Sequence, residues 1–547
     1  MTAADFSGYH GTFGWIVVAA CLLALAPSGL RWLRVAQREH YLAGSSTRFA
    51  ARWWTVTPLN AALGVVALAG AVTSLWWTLA GLATAAVVAV GPIGLGVRGR
   101  SSPLAWTRRL RTLAAVWVVA QFVLVVIGIV TGLASPLALL GALLVPALVD
   151  GACALTGPFE SRAASRFVHQ ASARLAQVAP TVVAITGSFG KTSTKNHLTH
   201  LIASERSVVS SPASFNNRAG LARAVNEHLA DGTQVFVAEM GTYGPGEIAD
   251  LCRWCPPEIA VITAIGPVHL ERFGSEDRIL EAKAEITVAA STVVLNVDDR
   301  RLAALADRLV DQGKRVVRCS ASDADCEVSV VRDAAARMTV RIGPATIVAQ
   351  HLVVPAGVQP GNLACAIGAA SALGLGTAAI AARLSDLPAV GHRLEAGRSP
   401  AGFIILDDTY NSNPSGAREA LAALVAQTAL AAQPDEAMNL ATPPGETRDQ
   451  ATPASQRLVV VTPGMVELGR RQAEENRSFG AAAALAATDL VVVGRTNRRA
   501  LVAGSSVPEA ARLHLVADRE EAVAWVRATL APGDAVLYEN DLPDHYP

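Results

Sequence analysis

Lysine is almost missing from this chain. Of its 46 basic residues only four are lysine, at 191, 195, 283 and 314, and the other 42 are arginine. Arginine cannot replace a compact primary amine, either as a point donor to phosphate or as a nucleophile, so each remaining lysine is informative. Charge of either sign is sparse at 17% of residues, and the net charge is +1. That balance excludes the basic field of a nucleic-acid-binding protein. The seven cysteines, at 21, 153, 252, 255, 319, 326 and 365, are odd in number and scattered. They fit a reduced compartment and exclude a disulfide framework. Cys252 and Cys255 form a C-x-x-C, but there is no second pair for a zinc ribbon and no thioredoxin-like context, so the pair reads as structural.

Charge is wholly absent from residues 11–30, 53–97 and 112–149, in a chain that is 51% hydrophobic with a mean hydropathy of +0.35. A membrane-spanning helix needs ~20 apolar residues. The runs therefore predict five spans, near 11–30, 56–75, 77–97, 112–132 and 136–156, within a membrane region 1–157. Ala24-Leu25-Ala26 resembles a signal-peptide cleavage site, but no Lys or Arg precedes the run and Pro27 follows it, which disfavours that reading. Arginines 31, 34, 38, 48 and 52 fill one loop and 98, 100, 108, 109 and 111 another, while the N-terminal tail and the two tight hairpins hold none. The positive-inside rule puts those two loops in the cytoplasm and the N-terminus outside. Five spans then deliver the chain after residue 157 to the cytoplasm. Asp150 is the one ionisable candidate near a span and reads as an interface residue, so the region is expected to anchor rather than conduct.

From about 180 onward short β-branched runs alternate with helix-like segments: 182–186, 235–241, 259–266 and 293–298. This pattern predicts a mostly parallel, covered sheet. Residues 327–354 suggest a small antiparallel excursion, and a helix near 361–374 closes the domain. A second α/β unit begins near 400, with strands at 403–408, 457–463, 489–494, 513–517 and 535–540. The Ala-, Pro-, Thr-, Gln- and Glu-rich stretch 427–456 reads as a disordered insertion.

The first strand runs into Thr186-Gly187-Ser188-Phe189-Gly190-Lys191-Thr192-Ser193-Thr194. Glycines at 187 and 190 let backbone N–H groups turn onto phosphate oxygens, and the helix that follows adds its positive end. Lys191 would reach the terminal phosphates, and Thr192 would ligate Mg²⁺. The glycine that usually opens such a loop is replaced by Ile185. This shorter loop resembles that of the Mur ligase family, whose members use ATP to join a carboxylate to an amine. Further segments match that family in order: SFNNRAGL (214–221), AEMGTYGPGEIADL (238–251), TAIGPVHLERFGS (263–275), AKAEI (282–286), NVDD (296–299), GHRLE (391–395), DDTYNSNP (407–414) and TPGMVELG (462–469). The resemblance covers roughly residues 180–540 and is nearest to the branch that adds D-alanyl-D-alanine.

The resemblance implies a P-loop central domain (181–390), a Rossmann-like α/β C-terminal domain (391–547) and a juxtamembrane linker at 158–180. It implies ATP and Mg²⁺ as cofactors and an acyl phosphate on the reaction path. Gly187, Ser188, Gly190, Lys191, Thr192, Ser193, Asn296, Arg393 and Asp408 would contact ATP. Asn296 would meet adenine, Arg393 phosphate, and Asp408 the ribose once the C-terminal domain closes. Lys191, Glu239, His269 and Lys283 would be catalytic, and Thr192, Glu239, His269 and Lys283 would hold Mg²⁺, with Lys283 carried as a carbamate. Asn216, Asn217, Asn411 and Asn413 are candidates for substrate or loop shaping.

Where the family places a small UDP-sugar-gripping domain, this chain has apolar helices. A bacterial inner-membrane location is therefore expected, with the bilayer as a partner. The substrates would be an amino acid or dipeptide and a carboxylate acceptor that is lipid-linked or an envelope precursor. Two alternatives share the features seen so far: a membrane-bound poly-γ-glutamate-type synthetase, and a non-catalytic ATP-sensing scaffold of the envelope. An ATP-driven transporter would need charges within the spans, and few are there.

Overall fold

The computed structural model describes residues 11–97, 104–212, 215–333, 337–343, 346–355, 357–388, 394–409, 413–431, 456–508, 510–542, 545 and 546. The chain forms two compact units, residues 1–164 with 542–547, and residues 165–541.

The first unit is helical. Thr12–Arg38 and Arg108–Thr131 are each long and apolar enough to cross a membrane. Two further pairs, Ser45–Thr55 with Pro58–Thr73 and Ala134–Leu143 with Val145–Val178, bend by 111° and 76° at their breaks. The described residues thus hold two clear spans, or up to four if each bent pair counts as one, instead of the five expected. The expected span at 136–156 is broken between Leu143 and Val145. Pro146 follows the break; without an N–H it cannot bond the carbonyl of Ala142 four residues back, so it sits in the first turn of a new helix. The expected span at 77–97 shortens to Thr78–Ala80 and Gly81–Val90, ending before Pro92.

Polar groups inside this unit tie helix ends. The Arg31 guanidinium donates to the carbonyl of Ala89 (2.8 Å), left open at the end of the helix Gly81–Val90, and to those of Gly91 (3.2 Å) and Leu95 (3.1 Å) in the segment that follows. Asp150 accepts from the backbone N–H groups of Ser46 (3.0 Å) and Thr47 (2.8 Å) and from the Thr47 hydroxyl (2.6 Å), so it caps the helix Ser45–Thr55. His545 is buried here too: its carbonyl accepts from Trp53 Nε1 (2.8 Å) and its ring meets Glu39 (3.1 Å).

The second unit opens with the C-terminal part of the helix Val145–Val178, whose Val168, Ala171 and Leu175 pack into the core. The stretch 158–178, read as a linker, is therefore helix. A nine-stranded sheet follows: β1 (Thr181–Thr186), β2 (Val208–Ser210), β3 (Val235–Glu239), β4 (Ile259–Ile262), β5 (Thr292–Asn296), β6 (Arg315–Ser320), β7 (Val328–Arg332), β8 (Met338–Ile342) and β9 (Ile347–Leu352). Its order is β2-β3-β1-β4-β5-β6-β7-β8-β9. Pairing is parallel through β7 and antiparallel from β7 to β9. The antiparallel excursion expected at 327–354 is present as β7 to β9, which extend the main sheet.

The central strands are buried on both faces, with one apolar cluster on each side. This is why they read as continuous apolar runs rather than alternating ones. A second sheet contains β10 (Glu395–Arg398), β11 (Ile404–Asp408), β12 (Leu458–Thr462), β13 (Asp489–Val493), β14 (Arg512–Val516) and β15 (Ala535–Glu539). Its order is β10-β11-β15-β12-β13-β14, with only the β10 edge antiparallel. The insertion expected at 427–456 begins inside the helix Pro414–Ala431, and 432–455 lie outside the described residues.

Candidate active site

In the central sheet β1 lies between β3 and β4, and the loop after β1 leaves the sheet at its carboxyl edge, where open α/β sheets place ligands. Gly190 has φ +83° and caps the helix Lys191–Ile202. A Cβ there would come within 2.1 Å of Asn362 Oδ1, and one on Gly187 within 2.0 Å of Thr263 Oγ1. Both glycines are therefore required, the first by conformation as well as by space. The loop is pinned to the strand end of β4: Ser188 N donates to the Ala264 carbonyl (2.8 Å), and Thr263 Oγ1 donates to the Phe189 carbonyl (2.5 Å).

Glu239 ends β3 and is 2% exposed. Its Oε2 accepts from Thr192 Oγ1 (2.9 Å) and lies 3.5 Å from the buried Lys195 ammonium, while its Oε1 accepts from Asn216 Nδ2 (3.1 Å). Burial raises the Glu239 pKa, but Lys191, Lys195 and the Asn216 and Thr192 hydrogen bonds outweigh it and hold the carboxyl below its ordinary value. The charged form is thus the resting form. A carboxylate beside a hydroxyl, both at the loop, suits Mg²⁺, which takes one or two protein oxygens and completes its shell with phosphate and water. Among the described residues no group of three or more His, Cys, Asp or Glu gathers into a metal cluster.

All four lysines turn out to donate to main-chain carbonyls. Lys195 Nζ reaches the Ser211 carbonyl (2.6 Å), and Lys314 Nζ reaches those of Thr287, Ala290 and Val288 (2.6, 2.8 and 2.9 Å). Lys191 Nζ (2.9 Å) and Lys283 Nζ (3.0 Å) share one acceptor, the Gly187 carbonyl. Lys283 is 4% exposed. Burial first, and the Lys191 charge second, push its amine well below the ordinary lysine pKa. Two ammonium groups on one buried oxygen favour the neutral form of the deeper one.

His269 sits at φ +58° after β4, and its Nδ1 is hydrogen-bonded to Glu467 of the C-terminal α/β domain. The backbone repeats the contact, Leu270 N donating to the Glu467 carbonyl (2.9 Å). A histidine whose Nδ1 is held by a carboxylate presents Nε2 in a fixed direction, which is how metal-ligating imidazoles are oriented. The segment 462–469 was legible as a motif, but nothing in it marked Glu467 as the partner of a residue 198 positions earlier.

A cleft of about 440 Å³ joins the two sheets of this unit. Gly190, Ser193 and Asn296 line it from the central domain, and Asp408, Asn413 and Glu419 from the C-terminal one. Asp408 therefore shares a cavity with Gly190 of the loop. The expected site residues Arg393 and Asn411 lie outside the described residues. Asn217 is not drawn into the site: it is exposed, and its side chain accepts from Gly220 N (2.9 Å) as the cap of the helix Arg218–His228. Asn413 likewise caps Pro414–Ala431 through Gly416 N (3.0 Å), while also lining the cleft. Cys252 and Cys255 are buried thiols, burial pushing Cys252 up to about 12, consistent with a structural role.

Residues 185–370 match the Mur ligase middle domain, and residues 429–538 match the glutamate ligase domain of Mur ligases. The chain is 33% identical over 381 residues to the UDP-N-acetylmuramoyl-tripeptide–D-alanyl-D-alanine ligase of Mycobacterium tuberculosis, across 65% of this chain and 69% of that one. The corresponding ligase of Bacillus subtilis is 30% identical over 257 residues, 46% of this chain and 54% of that one. In fold, the chain resembles MurF from Acinetobacter baumannii (TM-score 0.56, 22% identity, 69% of this chain and 77% of that one). It also resembles the MurF ligase of Thermotoga maritima in complex with ADP (TM-score 0.54, 24% identity, 69% and 80%). With its phosphate loop, carboxylate and two-sheet cleft in this arrangement, the chain belongs to the Mur ligase family and is an ATP-dependent, ADP-forming ligase of the MurF-like kind.

Proposed function

We propose that this protein is a membrane-anchored ligase of cell-wall synthesis that joins an amino acid or dipeptide to a carboxylate acceptor. The observation that carries this reading is the Thr192–Glu239 pair at the Gly187–Thr192 loop, with the buried Lys283 amine on the same loop. The acceptor carboxylate oxygen attacks the γ-phosphorus of ATP and ADP leaves. The amine then attacks the acyl carbon, phosphate departs with the former carboxylate oxygen, and the amine's surplus proton passes to solvent. Lys191 would move from the Gly187 carbonyl to the terminal phosphates, adding positive charge where two anions must meet. Thr192 and Glu239 would hold one Mg²⁺, and His269 Nε2 with a Lys283 carbamate a second. Bound there, Mg²⁺ would neutralise phosphate charge and orient the γ-phosphoryl group. Asn216 holds Glu239 in place, and Asn296 and Asp408 would read adenine and ribose from opposite walls of the cleft.

The relatives' names point to a muramoyl peptide acceptor and to D-alanyl-D-alanine as the added amine. The helical unit favours an acceptor held at the bilayer. Its helices turn large apolar side chains outward, such as Val130 (80% exposed), Leu23 (77%) and Phe122 (67%), which suits a lipid environment. The two long apolar helices together with the bent pairs support a multi-pass inner-membrane protein with its catalytic unit on the cytoplasmic side. Incubating the purified protein with ATP, labelled D-alanyl-D-alanine or single amino acids, and either membrane extract or soluble UDP-muramoyl peptides tests the reading. A membrane-extracted acceptor gaining the mass of one addition supports it. Efficient use of only the soluble acceptors defeats the membrane-acceptor part, and product ladders of many additions indicate a polymerising synthetase.

A further inference from the structure

We propose that Glu419 is a second ribose-reading carboxylate, which together with Asp408 accepts the two vicinal hydroxyls of the nucleotide and makes the site selective for ribonucleotides. The inference rests on the reading of the cleft as the ATP site. Glu419 lies on the helix Pro414–Ala431 and lines the same cleft as Asp408, Gly190 and Asn296. Its Oε2 is sealed from solvent and, among the described residues, has no hydrogen-bond partner. A buried acceptor without a donor carries its full desolvation cost, so a ligand that supplies the donor is bound the more tightly.

The donors that ATP can offer are few. Its phosphates only accept and would be repelled by a carboxylate, and their place is at the Gly187–Thr192 loop. The remaining donors are the ribose hydroxyls and the exocyclic amine of adenine. The amine carries both hydrogens on one nitrogen in the ring plane, where the amide of Asn296, able to donate and accept, is the better match. The ribose carries two donors on adjacent carbons. Two acceptor-only groups on one wall, Asp408 from β11 and Glu419 from the following helix, match that diol, in the way an acidic residue takes the ribose 2′-hydroxyl in dinucleotide folds.

The charges around Glu419 suit this role. Burial pushes its carboxyl up to about 7; Arg332 of β7 and Arg418 of its own helix oppose the rise and Asp408 adds to it. Behind Asp408, the buried Glu539 of β15 is itself pushed up to about 8. Near neutral pH Glu419 is thus poised between its two forms, and a donated hydroxyl proton favours the anion. Ribonucleotide binding should therefore tighten as pH rises from about 6 to 8.

Calorimetric titration of the full-length protein in detergent, with Mg²⁺ and ATP, 2′-deoxy-ATP, 3′-deoxy-ATP or inosine triphosphate, tests this without an acceptor substrate. The wild-type protein is expected to prefer ATP over one of the deoxynucleotides by about tenfold, the worth of a charge-assisted hydrogen bond. Glu419→Ala should weaken ATP about as much and bring that ratio near one, while the ratio of ATP to inosine triphosphate stays as in the wild type. Glu419→Gln, of the same shape, should fall between them and lose the pH dependence. Unchanged deoxynucleotide ratios in both variants overturn the proposal, as does a change confined to inosine triphosphate, which would assign Glu419 to the base. A wild-type protein that binds no nucleotide would instead overturn the ATP-site reading itself.

Discussion

Removing the Lys283 amine tests the catalytic reading most directly. Lys283 and Lys191 donate to the same carbonyl, so their nitrogens can lie no farther apart than the sum of 2.9 and 3.0 Å. Two unit charges ~6 Å apart repel by roughly 3 kcal/mol at an effective dielectric of about 20. Burial adds to this cost, because Lys283 is 4% exposed. An ordinary lysine at pH 7.5 is neutral in only about one molecule in a thousand. Carbon dioxide reacts only with the neutral amine, so depression of the Lys283 pKa raises the reactive fraction. The resulting carbamate would turn a repelled cation into an anion beside Lys191. Lys283→Ala is expected to lower acceptor-dependent ADP release by about 100-fold or more, the usual worth of a preorganised charge at the reacting centre. Short carboxylates such as acetate or propionate should restore part of it. With ¹³C-bicarbonate, the wild-type protein should show a carbamate carbon resonance that Lys283→Ala lacks. Unchanged turnover in Lys283→Ala, or the same resonance in both proteins, would refute the reasoning.

Lys191→Ala should abolish ATP turnover, because it removes the ammonium that sits at the loop and acts on Glu239; retained turnover would remove Lys191 from the phosphate site. Glu467→Gln should raise the Mg²⁺ concentration needed for half-maximal activity about tenfold, since the carboxylate orients His269 Nδ1; an unaltered Mg²⁺ titration would make the contact a purely structural tie. Glu539 is pushed up to about 8 by burial, its Thr462 hydrogen bond opposing and Asp408 adding to the rise. A carboxyl raised in the folded state holds its proton while the unfolded chain releases it, so it costs stability as pH climbs from about 4.5 to 8. Glu539→Gln should therefore match the wild type near pH 5 and melt a few degrees higher near pH 8.5, and equal melting points at both pH values would show that Glu539 ionises freely.

Strands with an apolar run could be located from the sequence, and β1, β3, β4, β5 and β11 to β15 lie where those runs predict. The short edge strands β2 and β10 were not legible, and neither was β6, whose apolar residues are interrupted by Arg315 and Arg318. The phosphate loop was legible down to single residues, since its demands, two glycines and a lysine at a helix start, are local. His269 was legible as a ligand candidate, but its carboxylate partner was not, and Glu419 carried no signal at all. Its surroundings come from β7, β11 and its own helix, which sequence spacing does not relate.

The scarcity of lysine and the order of motifs were enough to determine the chemistry and the family, because both record what single side chains must do. What the tertiary structure decided is which groups meet. Lys191 and Lys283, 92 positions apart in the chain, converge on one carbonyl oxygen. The helix expected to span 136–156 breaks before Pro146. Residues 545 and 546 pack within the helical unit rather than with the sheet they follow. Periodicity and motifs report forces that act within a few residues, whereas these outcomes depend on the balance of burial and charge among segments that come together only on folding.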